Sequence, residues 1–465
     1  MSDEKDVQEP GLRLKRFQRS TLRSAFQAVD WNPSGKVTDV VGTIIEAHMP
    51  GARLGTVVTI MVKDHGDVPA EVVGFRGDKT LLVPYSNLAG ISPGCSVSVR
   101  GVMDRIAVGD HLLGHIVDPM MQDLLGTPLT SERSTLVPIE RDAPNPMRRS
   151  RIENKLSLGI RAMDALLTFG EGQRIGIMAG SGVGKSVLMG MIARGSSADV
   201  NVIGLIGERG REVREFIERD LGPEGLARSV VVCSTSDQSP LMRLRAAKAV
   251  TAIAEAFSSQ GRKVLLMMDS LTRVAMAQRE IGLAIGEPPT TKGYPPSVFS
   301  LLPRLLERCG PQADGKGSIS GLYTVLVDGD DFNDPIPDHV RSILDGHVNL
   351  SRSLAARGHF PAIEINTSVS RVMHDIADAE HWQLAQTTRS LLGAYGEFID
   401  YIQTGTYQQG SNPTVDAAIA LMPSIESFLK QDMNECSSID KAIEGMRAIF
   451  NGGAASASAR TFKAS

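Results

Sequence analysis

Long apolar runs are missing from this 465-residue chain. No stretch approaches the roughly 18 uninterrupted apolar residues that a membrane-spanning helix needs. The opening residues Asp3, Glu4, Lys5 and Asp6 offer no apolar signal core. Cysteine is scarce, and Cys95, Cys233, Cys309 and Cys436 lie too far apart to make a CxxC pair. That excludes a disulfide scaffold and a zinc ribbon and fits a reducing compartment. Aromatic residues make up only 5 % of the chain, too few for a platform that stacks single-stranded bases. Neither sign of charge dominates: 49 Lys and Arg against 53 Asp and Glu leave −4, too near neutral for a general nucleic-acid coat. What remains is the expectation of a soluble cytosolic protein with length for about three domains at roughly 150 residues each.

The chain changes character several times. Residues 1–11 are acidic and polar and read as disordered. In the segment that follows, up to residue 29, Arg13, Lys15, Arg16, Arg19 and Arg23 stand without an acid, beside a loose apolar stripe of Leu12, Phe17, Leu22, Ala25, Phe26 and Val29. This is either a solvated helix packed on its own protein or a docking helix for a partner or an anionic membrane surface. Over 30–103, short Val-, Ile- and Thr-rich segments (Lys36–Ile45, Thr56–Val62, Glu71–Phe75, Thr80–Val83, Ser96–Val99) alternate with Gly/Pro/Asp turns, which predicts a small closed β-barrel. Over 104–380, after a linker with Pro138, Pro144 and Pro146, apolar strands alternate with helical stretches: Arg174–Met178, Val200–Ile206, Val230–Cys233, Val264–Met268 and Leu322–Val327. That is the pattern of an α/β core, a parallel sheet covered on both faces. From 381 to 465 the pattern is helical. Asn412 and Pro413 supply a helix start, two apolar stripes follow, and Gly452–Ser465 reads as a frayed low-complexity tail.

Ala179-Gly180-Ser181-Gly182-Val183-Gly184-Lys185-Ser186 follows one predicted strand and opens a helix that begins at Val187. A strand, a glycine loop and a helix make a Walker A phosphate loop. Consecutive backbone N–H groups wrap a β-phosphate, and the helix N-terminus adds its positive end. Lys185 reaches the β- and γ-phosphates, and the Ser186 hydroxyl holds Mg²⁺. A magnesium-organising carboxylate belongs at the end of a neighbouring buried strand, where Asp269 and Asp328 both qualify. Asp269 is preferred because Ser270 to Arg273 continue into a helix, whereas Asp328 runs into the acidic loop Asp330-Asp331-Asn333-Asp334. Gly207-Glu208-Arg209 also follows a buried strand. Glu208 there can act as general base and Arg209 can bind the γ-phosphate.

These residues resemble the catalytic subunits of rotary ATPases, and more closely the ATPases of type III export, flagellar or injectisome. The resemblance runs from about Lys36 to Leu421 and is densest over Gly159–Ser186, Gly207–Val213, Met267–Gly293 and Leu322–Val372. It implies an N-terminal barrel, a RecA-like P-loop core and C-terminal helices. By the same resemblance Asp269 is the Walker B carboxylate, Arg371 is an arginine finger acting on a neighbour's nucleotide, and Phe360 lies against adenine. Glu364 stands where the family has Asp. A homohexameric ring binding ATP with Mg²⁺ is the implied assembly, since an arginine that cannot reach its own phosphate is useful only beside another site. The resemblance further implies a stator-like regulator and acidic lipid at the N-terminal segment, a central stalk and export gate at the C-terminal helices, and export chaperones and substrates. No nucleic acid is expected, and the location is the cytoplasmic side of the inner membrane.

Three other readings compete. A non-catalytic ring subunit would lack a carboxylate at Glu208. Another rotary or proton-translocating ATPase shares the core. A hexameric RNA translocase shares a stretch like Asp269–Arg273, but needs stacking aromatics in a barrel whose strand-bearing span, 36–99, has only Phe75 and Tyr85.

Overall fold

The computed structural model describes residues 34–461, apart from 64–65, 87, 102–103, 130–132, 314–316 and 328–333. The basic segment up to residue 29 and the alternative carboxylate Asp328 therefore lie outside the described residues. The chain forms two compact units that part near residue 102.

In the first unit six antiparallel strands, Ser34–Val41, Ile44–His48, Val57–Val62, Gly66–Arg76, Lys79–Pro84 and Ser96–Gly101, close into a barrel. Alternate residues point inward, so Val37, Ile45, Ala47, Val58, Ile60, Val72, Leu82 and Val97 form its buried core. The segment Lys36–Ile45 reads as one strand but is two, because Gly42, at φ 60°, turns the chain back so that Val41 pairs with Ile44. Of the two barrel aromatics, Tyr85 is buried and donates its hydroxyl to Glu71, while Phe75 is exposed.

The second unit is built on a mixed sheet. From one edge its strands run Ile363–Ser370, Gly346–Leu350, Arg174–Ala179, Ser318–Leu326, Lys263–Asp269, Val200–Glu208, Ser229–Thr235 and Ile116–Val117. Every neighbouring pair in that series is parallel except the first. The central strands are buried along nearly their whole length, which is why they read as unbroken apolar runs. The edge strand Ile363–Ser370 alternates buried and open positions instead.

The alanine-rich helix Pro240–Ser259 packs on the two strands Val200–Glu208 and Lys263–Asp269. Its Glu255 takes both ends of the Arg308 guanidinium at 2.8 Å, and both side chains are nearly buried. The C-terminal helices Ala379–Gln403, Pro413–Leu429 and Ile439–Thr461 share one apolar cluster with the sheet: Ala418, Ile425, Leu429 and Met446 belong to the same core as Ile175 and Leu205. Asn412 accepts the N–H groups of Thr414 and Val415, capping the helix that its position predicts. The last helix continues through Gly452 to Thr461, where a frayed tail was expected. Ala454, Ala455, Ala457 and Ala459 explain this, since alanine has the highest helix propensity and offsets the two glycines before it.

Removing one partner of the Arg308–Glu255 pair leaves a buried charge alone. Arg308→Met should therefore cost about 3–5 kcal/mol of stability in this unit, and Glu255→Leu added to it should recover most of the loss. Chemical denaturation of the single and double variants checks this.

Candidate active site

Parallel strands bring their carboxyl ends to one side of the sheet, and loops there gather groups from distant parts of the chain. The strand Arg174–Ala179 ends in the buried Ala179, and the chain passes through buried Gly180 into exposed Ser181 and Gly182. Val183 tucks into the core. Gly184 then adopts φ 88°, ψ 19°, a left-handed conformation that only glycine takes without strain, directly before the helix Lys185–Gly195. The first N–H groups of that helix have no partner within it and carry its positive end, so loop and helix together form an anion cradle. Ser186 and Val187 are half-buried in its first turn, with Val187 packed on the core.

Lys185 Nζ reaches across to the two neighbouring strand ends. It lies 2.5 Å from Asp269 Oδ1 and 3.5 Å from Glu208 Oε1, with all three side chains largely shielded from water. Burial works against the ammonium, but Asp269 and Glu208 outweigh it and raise its pKa above the ordinary lysine value. Asp269 Oδ1 also accepts the hydroxyl of the fully buried Thr324, at 2.6 Å. Both contacts fall on Oδ1, and Oδ2 has none among the described residues. The free carboxylate oxygen of Asp269 and the Ser186 hydroxyl are hard oxygen donors of the kind that suit Mg²⁺, which takes few protein ligands and completes its shell with phosphate and water.

Glu208 differs from Asp269 in its electrostatics. Burial and the charge of Asp269 push its carboxyl up to about 7, Lys185 pulls it partly back, and a hydrogen bond with Glu212 adds to the rise. A carboxylate titrating near neutrality is matched to proton transfer. Its presentation depends on Gly207, at φ 72°: a Cβ there would lie 2.8 Å from the Cβ of Arg273. Arg273 was not singled out from the sequence, although it sits beside Asp269 in the same stretch. Its Nε is buried with no hydrogen-bond partner among the described residues. Thr324 was likewise missed, being one hydroxyl inside an apolar strand.

Three further expected residues divide between the two ends of the sheet. Arg209 is mostly exposed and pairs with Glu212 at 3.0 Å, one turn along its own helix. Phe360 is 45 % exposed, and its ring lies 3.5 Å from where a Cβ on Gly184 would be, so it borders the phosphate loop. Arg371 is at the opposite end. The edge strand Ile363–Ser370 runs antiparallel to its neighbour, pairing Ile363 with Leu350 and Ser370 with Gly346. Arg371 N–H donates to Asp345 O at 3.0 Å, and Asp345 in turn bonds Arg174, the first residue of the phosphate-loop strand. The edge strand bulges between Glu364 and Val369, so its ends face only the four steps from Gly346 to Leu350, which at about 3.3 Å each put Arg371 roughly 13 Å along the sheet from the phosphate-loop end. Glu364, on the same strand, has a raised pKa because it is half-buried, with Asn366 N–H and Arg357 acting against the rise.

A phosphate loop, a lysine between two strand-end carboxylates, and a sheet of this order define a P-loop nucleoside triphosphatase. Residues 159–370 match the nucleotide-binding domain of the ATP synthase alpha/beta family, 37–101 match its beta-barrel domain, and 377–448 match the T3SS EscN ATPase C-terminal domain. The chain belongs to the ATP synthase alpha/beta family, in its flagellar and type III secretion ATPase branch. It is 52 % identical over 417 residues to the flagellum-specific ATP synthase of Bacillus subtilis, covering 89 % of this chain and 94 % of that one. It is 50 % identical over 420 residues to the type 3 secretion system ATPase of Xanthomonas euvesicatoria, covering 89 % and 93 %. The assembled ATPase EscN in complex with its central stalk EscO, from the enteropathogenic E. coli type III secretion system, superposes with a TM-score of 0.82 at 44 % identity, over 89 % of this chain and 99 % of that one.

If Glu208 is the group that titrates near 7, kcat/KM measured at saturating Mg²⁺ should rise with pH through an apparent pKa near 7. Glu208→Gln should abolish that limb and lower kcat by roughly 10²–10⁴ while nucleotide still binds. The same raised pKa makes Glu208 a stabilising group at acid pH whose contribution is lost as pH rises through about 7, a slope that the Gln variant should lack.

Proposed function

We propose that this chain hydrolyses ATP to energise protein export through a type III apparatus, flagellar or injectisome, as one subunit of a homohexameric ring. The observation that carries this reading is the convergence of Lys185, Glu208 and Asp269 on a phosphate loop, in a chain that retains the barrel and C-terminal regions of export ATPases.

In this reading the N–H groups of 180–187 and Lys185 bind the β- and γ-phosphates, and Phe360 packs on the base. Ser186 and Asp269 hold Mg²⁺, which when bound neutralises phosphate charge. Glu208 takes the proton of the attacking water, its pKa suited to do so at neutral pH. Arg209 turns from Glu212 toward the γ-phosphate. Arg371 acts on the neighbouring subunit's nucleotide; its separation from its own phosphate loop supports a role in trans. The barrel offers a single exposed aromatic among its described residues, Phe75, which speaks against an RNA translocase.

The chain is read in four parts, 1–29, 30–103, 104–380 and 381–465. The first takes a stator-like regulator and acidic lipid. The last faces a central stalk and export gate, by analogy with EscN bound to its stalk EscO. Chaperones and export substrates complete the partners. The ring sits at the cytoplasmic side of the inner membrane; no helix among the described residues is long and apolar enough to cross it.

Mixing two inactive variants tests the central claim. Arg371→Ala should bind ATP nearly normally yet lose roughly 10³–10⁵ in kcat, as for other arginine fingers. Mixed with Lys185→Ala, it should recover part of the activity, because some interfaces then join an intact loop to an intact finger. Absence of rescue, with wild-type specific activity constant down to a demonstrated monomer, would exclude action across a subunit boundary.

A further inference from the structure

One loop of the C-terminal helices touches the far end of the phosphate-binding helix and bonds the backbone of Phe360, whose ring borders the helix start. The loop runs from Lys430 to Ser438, between the helices Pro413–Leu429 and Ile439–Thr461. Near its start is Gln431, 5 % exposed. Its side-chain oxygen accepts the N–H of Arg161 at 2.8 Å, and its amide donates to Gly159 O at 2.8 Å and Glu435 O at 2.9 Å. Its own backbone N–H donates to Phe360 O at 2.9 Å. The aromatic ring that borders Gly184 is thus tethered, through its carbonyl, to a residue of the last loop.

The rest of the loop is tied down as firmly. Arg161 donates to Phe428 O at 2.9 Å and to Lys430 O, and pairs with Glu435. These are the open carbonyls at a helix C-terminus, where a guanidinium is well placed. At the far end of the phosphate-binding helix, Arg194 donates to Met433 O at 2.5 Å, and Cys436 Sγ lies 2.9 Å from where a Cβ on Gly195 would be. Gly159, which Gln431 holds, is itself packed on Gly195: a Cβ there would lie 2.8 Å from its Cα.

Filling this space would need only an apolar side chain of similar length. A buried amide with every donor used specifies one position rather than mere occupancy, because any displacement leaves polar groups unpaired. We infer that Gln431 is a positioning residue for the nucleotide site: it fixes the last loop so that Phe360 stands against the phosphate loop, and it thereby links the C-terminal helices to nucleotide affinity. The inference rests on the reading of Phe360 as the base platform.

The test uses the full-length assembled protein. Gln431→Met keeps the volume and removes all three side-chain bonds. It should raise KM for MgATP about tenfold, the scale of one lost hydrogen bond, and leave kcat within about twofold. Its preference for ATP over GTP should fall toward that of Phe360→Ala. Gln431→Glu keeps the acceptor for Arg161 N–H but loses both donations, and should give the same KM rise if the Met variant does not fold. A Phe360→Trp reporter reads the loop without nucleotide: adding Gln431→Met should shift the emission and anisotropy of the introduced indole. Unchanged KM together with an unchanged reporter signal overturns the inference, as does a loss confined to kcat. An unchanged KM in Phe360→Ala, with a reporter signal that still responds to Gln431→Met, overturns the base-platform reading and leaves the latch standing.

Discussion

The contact between Lys185 and Asp269 is the constraint on which this site depends. A cation and two carboxylates share a water-poor space, and one positive charge cannot balance two negative ones. The imbalance falls on Glu208, which sits farther from the ammonium than Asp269 does and is driven toward the neutral form. Thr324 reinforces the asymmetry by donating to Asp269 alone. The charge of Asp269, one strand away, is thus part of what raises Glu208.

Holding charges this close demands rigid support. Continuous apolar strands supply it, each fixed by parallel neighbours on both sides and by helices such as Pro240–Ser259. The same demand explains the glycines around the site. Gly184 allows the sharp entry into the helix, and Gly207 allows the Arg273 stem to press against the strand that carries Glu208. The C-terminal helices have no core separate from the sheet's, so they move only by repacking it.

Much of this was legible in the chain itself. The phosphate loop, the strands that end in Glu208 and Asp269, and the helix start at Asn412 all carry short-range signals of composition and spacing. What was not legible depends on partners far away in sequence. Thr324 is a site residue only because its strand lies beside the one ending in Asp269, and Gln431 matters only because Gly159 and Phe360 meet it. The outermost strand Ile363–Ser370 and its neighbour Gly346–Leu350 escaped because neither shows an unbroken apolar run in its sequence. The Gly42 turn was hidden inside a stretch rich enough in Val and Ile to read as one strand. Continuation of the last helix beyond Gly452 turned on counting alanines rather than noticing low complexity.

The antiparallel edge strand has a mechanical consequence. Phe360 precedes it at one end and Arg371 follows it at the other, and between them the backbone is paired to its neighbour at both ends with a bulge between Glu364 and Val369. In the ring proposed above, each such strand would begin near one nucleotide's base and end toward the next nucleotide's phosphate. Because both ends are paired with one neighbouring strand, a tilt of that pair carries both, and the bulge between them is where they can shift apart. Timing between adjacent sites would then depend on this one bulged strand, with no messenger passing through the rest of the sheet.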